Sequence, residues 1–111
     1  MIRVLLVDDE ALVRVGLKSL VPWNELGYEV VGEAANGEAA LKLMDKLRPQ
    51  LVITDIVMPK YNGIELTRAV KRKYPEVRVW VLSGYNEYEM VREAMKHGAT
   101  DYLLKLNLSR E

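Results

Sequence analysis

Short apolar runs alternate along this chain with longer stretches in which apolar residues recur every three or four positions. Val4-Leu5-Leu6-Val7 is an unbroken apolar run, the pattern of a strand buried on both faces. Glu10 to Leu20 then carries Val13, Leu17 and Leu20 at helical spacing, and Pro22 closes it. Tyr28 to Glu33 (YEVVGE) predicts a second strand. Asn36-Gly37 marks a turn, and Glu38 to Leu47 predicts a helix with Ala40, Leu41, Met44 and Leu47 on one face, ended by Pro49. Leu51-Val52-Ile53-Thr54 is a third buried strand, and residues 57–62 (VMPKYN) form a loop carrying a proline. Gly63 to Tyr74 is helical with Leu66, Ala69 and Val70 inward, and Val77 to Leu82 (VRVWVL) is the fourth strand. After a loop from Ser83 to Asn86, Glu87 to Lys96 is a helix with Val91, Ala94 and Met95 inward. Gly98 stands where a left-handed helix terminator belongs, and Lys96 and His97 suit the negative end of the helix dipole. Asp101 to Leu104 (DYLL) is a fifth strand, and only LNLSRE remains after Lys105.

Four strand–helix units and a fifth strand predict an α/β domain with a parallel sheet and helices on both of its faces. In such sheets chemistry sits at the carboxyl ends of the strands. The chain's 111 residues favour one domain able to bury a real core. Half of them are hydrophobic and 29% charged, the profile of an ordered globular protein. The absence of cysteine excludes disulfides and thiolate metal sites and suits a reducing cytoplasm. A net charge of +0 gives no basic footprint for nucleic acid, so any action on DNA would need another domain. The first apolar run is too short for a signal-peptide core or a membrane span, and no repeat or low-complexity tract is present.

The polar residues directly after the strands carry the candidate chemistry. Asp8 and Asp9 come after the first strand, Asp55 after the third, Ser83 after the fourth and Lys105 after the fifth; the second offers nothing comparable. Taken singly, each has an ordinary structural reading. Asp8-Asp9-Glu10 can cap a helix and favour its dipole, Asp55 can form a turn, Ser83 can enter a helix, Lys105 can be solvated and Tyr102 can fill an edge. His97 reads as a helix C-terminal cation. In a sheet ordered 2-1-3-4-5, however, strands one, three, four and five are consecutive neighbours, and three carboxylates, a hydroxyl and an ammonium converge at one edge. Three such carboxylates raise one another's pKa unless a cation intervenes. Mg²⁺ binds through one or two carboxylates and leaves room for a phosphate. An aspartate can attack phosphorus to form an acyl phosphate, whose oxygens then need cations and donors.

VLLVDDE, VITDIVMPKYNGIEL, VWVLSGY and GATDYLLK together resemble, in order and spacing, the receiver (CheY-like) domain of bacterial two-component response regulators, from Arg3 through Lys105. The resemblance implies a doubly wound five-stranded parallel sheet of order 2-1-3-4-5, flavodoxin-like in topology. It implies that Asp55 is the phosphoacceptor and that Asp8, Asp9, Asp55 and the Val57 carbonyl hold Mg²⁺. Lys105 is implied to contact the phosphoryl group, with Ser83 and Tyr102 as the hydroxyl and aromatic switch positions. It also implies a sensor histidine kinase as phosphodonor, a cytoplasmic location, and self-phosphorylation and self-dephosphorylation in place of conventional enzyme turnover. PWNELGY (residues 22–28), NGEAAL, SGYNEYE and DYLLK further resemble receivers that precede AraC-type DNA-binding domains, so DNA is expected to be reached only through a C-terminal output domain outside this sequence.

Two departures accompany the match. Leu106 stands where receivers usually carry a proline after the lysine. A cis peptide there would cost roughly 2.5–4 kcal/mol, so a trans bond and an altered loop are expected. The fifth helix is largely missing, and its absence should expose apolar surface on the first helix and the sheet. The expectation is a receiver spanning residues 1–111 with a truncated C-terminal helix, either cut from a longer parent or covered by a partner chain. A homodimer could form through the fourth-helix/fifth-strand face or through that bare edge. Three other readings fit the residues less well. A Mg²⁺-dependent aspartyl phosphatase would need a second aspartate where Val57 stands. A flavin or nucleotide module would need a phosphate loop where Asp8-Asp9 repel phosphate. A phosphorylation-independent pseudo-receiver would lack one or more site residues, and none is missing.

Overall fold

The computed structural model describes residues 1–84 and 86–105. Nine elements alternate along them: β1 (Ile2–Val7), α1 (Ala11–Leu20), β2 (Tyr28–Ala34), α2 (Gly37–Leu47), β3 (Leu51–Asp55), α3 (Gly63–Lys73), β4 (Arg78–Ser83), α4 (Tyr88–Lys96) and β5 (Asp101–Leu104). The five strands form one parallel sheet in the order β2-β1-β3-β4-β5, as expected.

Period-two side-chain alternation explains why the central strands are apolar throughout. Val4 and Leu6 of β1, Leu51 and Ile53 of β3 and Leu82 of β4 join Leu17 of α1 on one face of the sheet. Leu5 and Val7, Val52, and Val79 and Val81 point the other way, to Ala40 and Met44 of α2, Leu66 and Val70 of α3, and Val91 and Ala94 of α4. Both faces are thus covered, and the alternation leaves no solvent-facing side to the middle of the sheet. Trp23, Tyr28 and Trp80 extend the α1-side core, with ring centroids 6.2 and 6.3 Å apart.

One inward assignment needs correction. Met95 is exposed, because Ala94 takes the buried position at the end of α4 and turns its neighbour into the groove between α4 and β5. Leu20, in the last turn of α1, is also exposed, as are Leu12 and Val15 on the outer side of that helix. The expected geometry of the Lys105–Leu106 peptide and the short tail at 106–111 lie outside the described residues.

Local chemistry sets the helix ends. Asn36 accepts from the Ala39 N–H at the start of α2, and Gly98, at φ 114°, comes after α4 in the left-handed region its position called for. α3 begins with a reciprocal capping box: Asn62 accepts from the Glu65 N–H at 2.9 Å, and the Glu65 carboxylate accepts from the Asn62 N–H at 2.8 Å. Asn62→Ala removes half of that box and is expected to destabilise the domain by about 1 kcal/mol. Urea unfolding checks this; an unchanged midpoint would show that the cap contributes nothing.

Candidate functional site at the carboxyl ends of the strands

Register brings the site together. Val7 is level with Thr54, so Asp8 and Asp55 come next, abreast on neighbouring strands. Asp55 is level with Leu82, and Ser83 with Leu104, which places Ser83 and Lys105 one step further along the next two strands. Backbone bonds fix these ends: the Asp8 N–H donates to the Ala34 carbonyl and the Ile56 N–H to the Leu82 carbonyl. Asp8, Asp55 and Ser83 are buried, while Asp9 is exposed at the rim.

One carboxylate oxygen from each of Asp8, Asp9 and Asp55 lies within 4.8 Å of the others. The Lys105 ammonium leans into this group, 3.2 Å from Asp55 Oδ2 and 3.4 Å from Asp8 Oδ2. Among the described residues neither approach meets hydrogen-bond geometry, and Asp8 Oδ2 is buried without a hydrogen-bond partner. Burial pushes the Asp55 carboxyl up to about 7, with the Asp8 charge adding to the effect and Lys105 opposing it. Burial likewise raises Asp8, against the pull of the Glu10 N–H and of Lys105. Burial would lower Lys105, but the charges of Asp55 and Asp8 and its contact with Glu10 outweigh this and hold it above its ordinary value.

The residues therefore fit a hard dication. Three oxygen donors converge, one buried oxygen lacks a hydrogen bond among the described residues, and the carboxylates resist ionising together without further positive charge. Such a cluster can hold a metal and offers one buried carboxylate, Asp55, beside an ammonium able to meet an anion.

The other expected positions surround it. Val57, two residues beyond Asp55, turns its side chain to solvent. Tyr102 is about half exposed and lines a groove of about 560 Å³ with Ser83, Gly84, Tyr88, Val91 and Met95. The groove runs from the buried hydroxyl to the outer surface of α4 and β5.

Two participants escaped the sequence reading. Glu10 occupies the N-cap position of α1 but caps nothing with its side chain; its Oε1 accepts a hydrogen bond from Lys105 Nζ at 3.2 Å. The only sequence signal was a third acid after the pair. Arg14, one turn into α1, donates to the Asp8 carbonyl and to Glu33, which also pairs with Lys18. This ties the first site strand to its helix.

Comparison with known proteins agrees with this geometry. The response regulator receiver domain pattern matches residues 4–110. The transcriptional regulatory protein YesN of Bacillus subtilis is 41% identical over 105 residues, which are 95% of this chain and 28% of YesN. DegU of Brevibacillus brevis is 40% identical over 104 residues, 94% of this chain and 44% of DegU. The chain thus spans less than half the length of these curated relatives. Among solved structures, the REC domain of AraT, a response regulator from Geobacillus stearothermophilus, superposes with a TM-score of 0.86 at 36% identity, covering 97% of this chain and 87% of that one. A two-component transcriptional regulator AraC from Clostridium phytofermentans gives 0.87 at 35% identity, covering 96% of this chain and 82% of that one. With its strand order, its carboxylate cluster and these matches in agreement, the chain belongs to the response regulator receiver domain family.

Proposed function

We propose that this chain is the phosphoacceptor domain of a two-component signalling protein. The observation that carries the reading is the buried Asp55 carboxylate, which shares its pocket with Asp8, Asp9 and the Lys105 ammonium. An Asp55 carboxylate oxygen attacks the phosphorus of a kinase phosphohistidine. The O–P bond forms, the P–N bond breaks, and the imidazole nitrogen departs with the electron pair and takes up a proton. Asp9, Asp55 and the Val57 carbonyl would hold Mg²⁺, with Asp8 acting through water. When bound, the dication offsets carboxylate repulsion and the charge of the incoming phosphoryl group. Lys105 meets one new phosphoryl oxygen and the Ser83 hydroxyl donates to another.

Ser83 and Tyr102 border the same groove, so a shift of the hydroxyl toward Asp55 opens room for the aromatic ring. The result is a two-state population shift read out at the α4–β5 surface. That surface is where we place dimerisation or contact with an output domain. The relatives are named as transcriptional regulators and are more than twice as long as this chain, which supports placing this receiver in a longer cytoplasmic protein whose DNA contacts lie outside residues 1–111. Among the described residues no helix is long and apolar enough to cross a membrane. The domain acts as a signalling module that handles its own phosphoryl group and is not a turnover enzyme.

Intact mass after incubation with acetyl phosphate or phosphoramidate tests this. One phosphoryl group should be gained with Mg²⁺, none without it, and none in Asp55→Asn. Labelling that persists in Asp55→Asn, or a folded wild-type chain that gains nothing, would overturn the proposal.

A further inference from the structure

The three-acceptor environment of Lys105 points beyond its expected partnership with the phosphoryl group. An ammonium has three donors and no acceptor. Three carboxylates surround this one, at 3.2 Å (Asp55), 3.4 Å (Asp8) and 3.2 Å (Glu10). Only the contact to Glu10 has hydrogen-bond geometry among the described residues. The three partners differ in kind. Asp8 and Asp55 are buried members of the carboxylate cluster, whereas the Glu10 side chain is 63% exposed and stands outside it. The Glu10 backbone is nevertheless anchored to the cluster, since its N–H donates to Asp8 Oδ1 at 2.9 Å.

A dication held at Asp9 and Asp55, with Asp8 acting through water, would sit beside an ammonium already 3.4 Å from Asp8 and 3.2 Å from Asp55. Two cations drawn to the same carboxylate cluster repel, so the metal and Lys105 compete. Glu10 offers the ammonium an anionic partner at the edge of the cluster, within reach from where it already sits. We infer that Glu10 is a positioning residue, a berth that takes Lys105 when a dication occupies the carboxylate cluster and so strengthens metal binding through Lys105 itself. This rests on the metal-binding reading proposed above. It gives the third acid of the run a task distinct from the helix dipole. Without it, an ammonium displaced from the cluster would lack this anionic partner, and the metal would have to overcome its full attraction to Asp8 and Asp55.

Isothermal titration calorimetry with MgCl₂ on the phosphoryl-free chain tests the berth through a double-mutant cycle. Glu10→Gln is expected to weaken Mg²⁺ binding about two- to fivefold, the range of a partly exposed ion pair. Lys105→Met, which removes the competing cation, should tighten it. In the Lys105→Met background, Glu10→Gln should change affinity less than about twofold, because the berth no longer has an occupant. An equal loss in both backgrounds would mean that Glu10 acts only as nearby negative charge, and would overturn the inference while leaving the metal site standing. Absence of Mg²⁺ binding to the folded wild-type chain would overturn the metal site and the berth together. Should circular dichroism show Lys105→Met unfolded, Glu10→Asp decides instead, since it keeps the charge and shortens the reach. It should behave like Glu10→Gln; wild-type affinity would overturn the berth.

Discussion

Without divalent cations, the chain is expected to lose about 3 kcal/mol of stability between pH 5 and pH 8, and Asp55→Asn is expected to remove most of that loss. The Asp55 carboxyl is raised from 3.8 to about 7 in the folded chain, first by burial and then by the Asp8 charge. Below 3.8 both folded and unfolded chains hold the proton, and the group contributes no difference. Between 3.8 and about 7 the unfolded chain has released it while the folded chain retains it, so stability falls as pH rises. Above that range both are ionised and the penalty stays constant. The side chain is only 4% exposed, so solvent screening gives little relief. Asp8, raised in the same direction, adds to the slope. Lys105, whose pKa is raised, contributes stability that is complete below its ordinary 10.5 and is lost only at higher pH, outside this window. On the acid side, Glu33 is lowered by its hydrogen bonds from Lys18 and Arg14, and its contribution is lost as pH falls from 4.5 through its folded value. Urea unfolding at pH 5, 6.5 and 8 checks the prediction, and Mg²⁺ should restore stability at pH 8 in the wild type more than in Asp55→Asn. Parallel pH profiles for the two proteins would show that Asp55 is not the strained carboxylate.

The fold was readable because burial on both sheet faces leaves central strands no polar positions, and because helices end on proline, glycine and capping side chains. Element ends fell within two residues of the observed ones. β3 runs one residue further than its apolar pattern, through Asp55, because the ladder is made by backbone groups and takes no account of the side chain. Met95 and Leu20 were harder: helical spacing gives the direction of a buried face but not how far the covering sheet extends. The site was readable for a different reason. Asp8, Asp9, Asp55, Ser83 and Lys105 all stand at or just beyond the carboxyl end of a strand, so topology alone gathers them. Glu10 was not readable, because an acid at the start of a helix serves the dipole equally well, and its partner lies at the far end of the chain. Nor does the sequence announce Lys60, which takes φ 71° in the loop after Asp55 with no glycine or asparagine to signal it.

Gly63 shows the same division, since the motif marks the position and only the packing gives the reason, and Gly63→Ala is expected to destabilise the domain by at least about 3 kcal/mol. Its φ lies outside the left-handed region, so conformational freedom is not the cause. A Cβ there would sit 2.4 Å from the Asp55 carbonyl oxygen and 2.8 Å from the Ile56 Cα. Both are backbone atoms at the end of a fully buried strand, and neither can swing aside as a side chain would. The Gly63 N–H also donates to the Ile56 carbonyl at 2.9 Å, so a retreat of α3 would break that bond. Thr67, buried one turn on, holds the same turn in place, since its Oγ1 donates to the Gly63 carbonyl at 2.7 Å. The start of α3 is thereby pressed against the residue whose carboxylate is proposed to accept the phosphoryl group. Thermal unfolding should show a midpoint lowered by well over about 5 °C, given a domain of this size. Where Gly63→Ala remains folded at low temperature, displacement of the Asp55 backbone should also slow labelling by acetyl phosphate relative to wild type. An alanine variant with wild-type stability would mean that α3 can withdraw freely, and that the close approach to Asp55 is not required to hold the site.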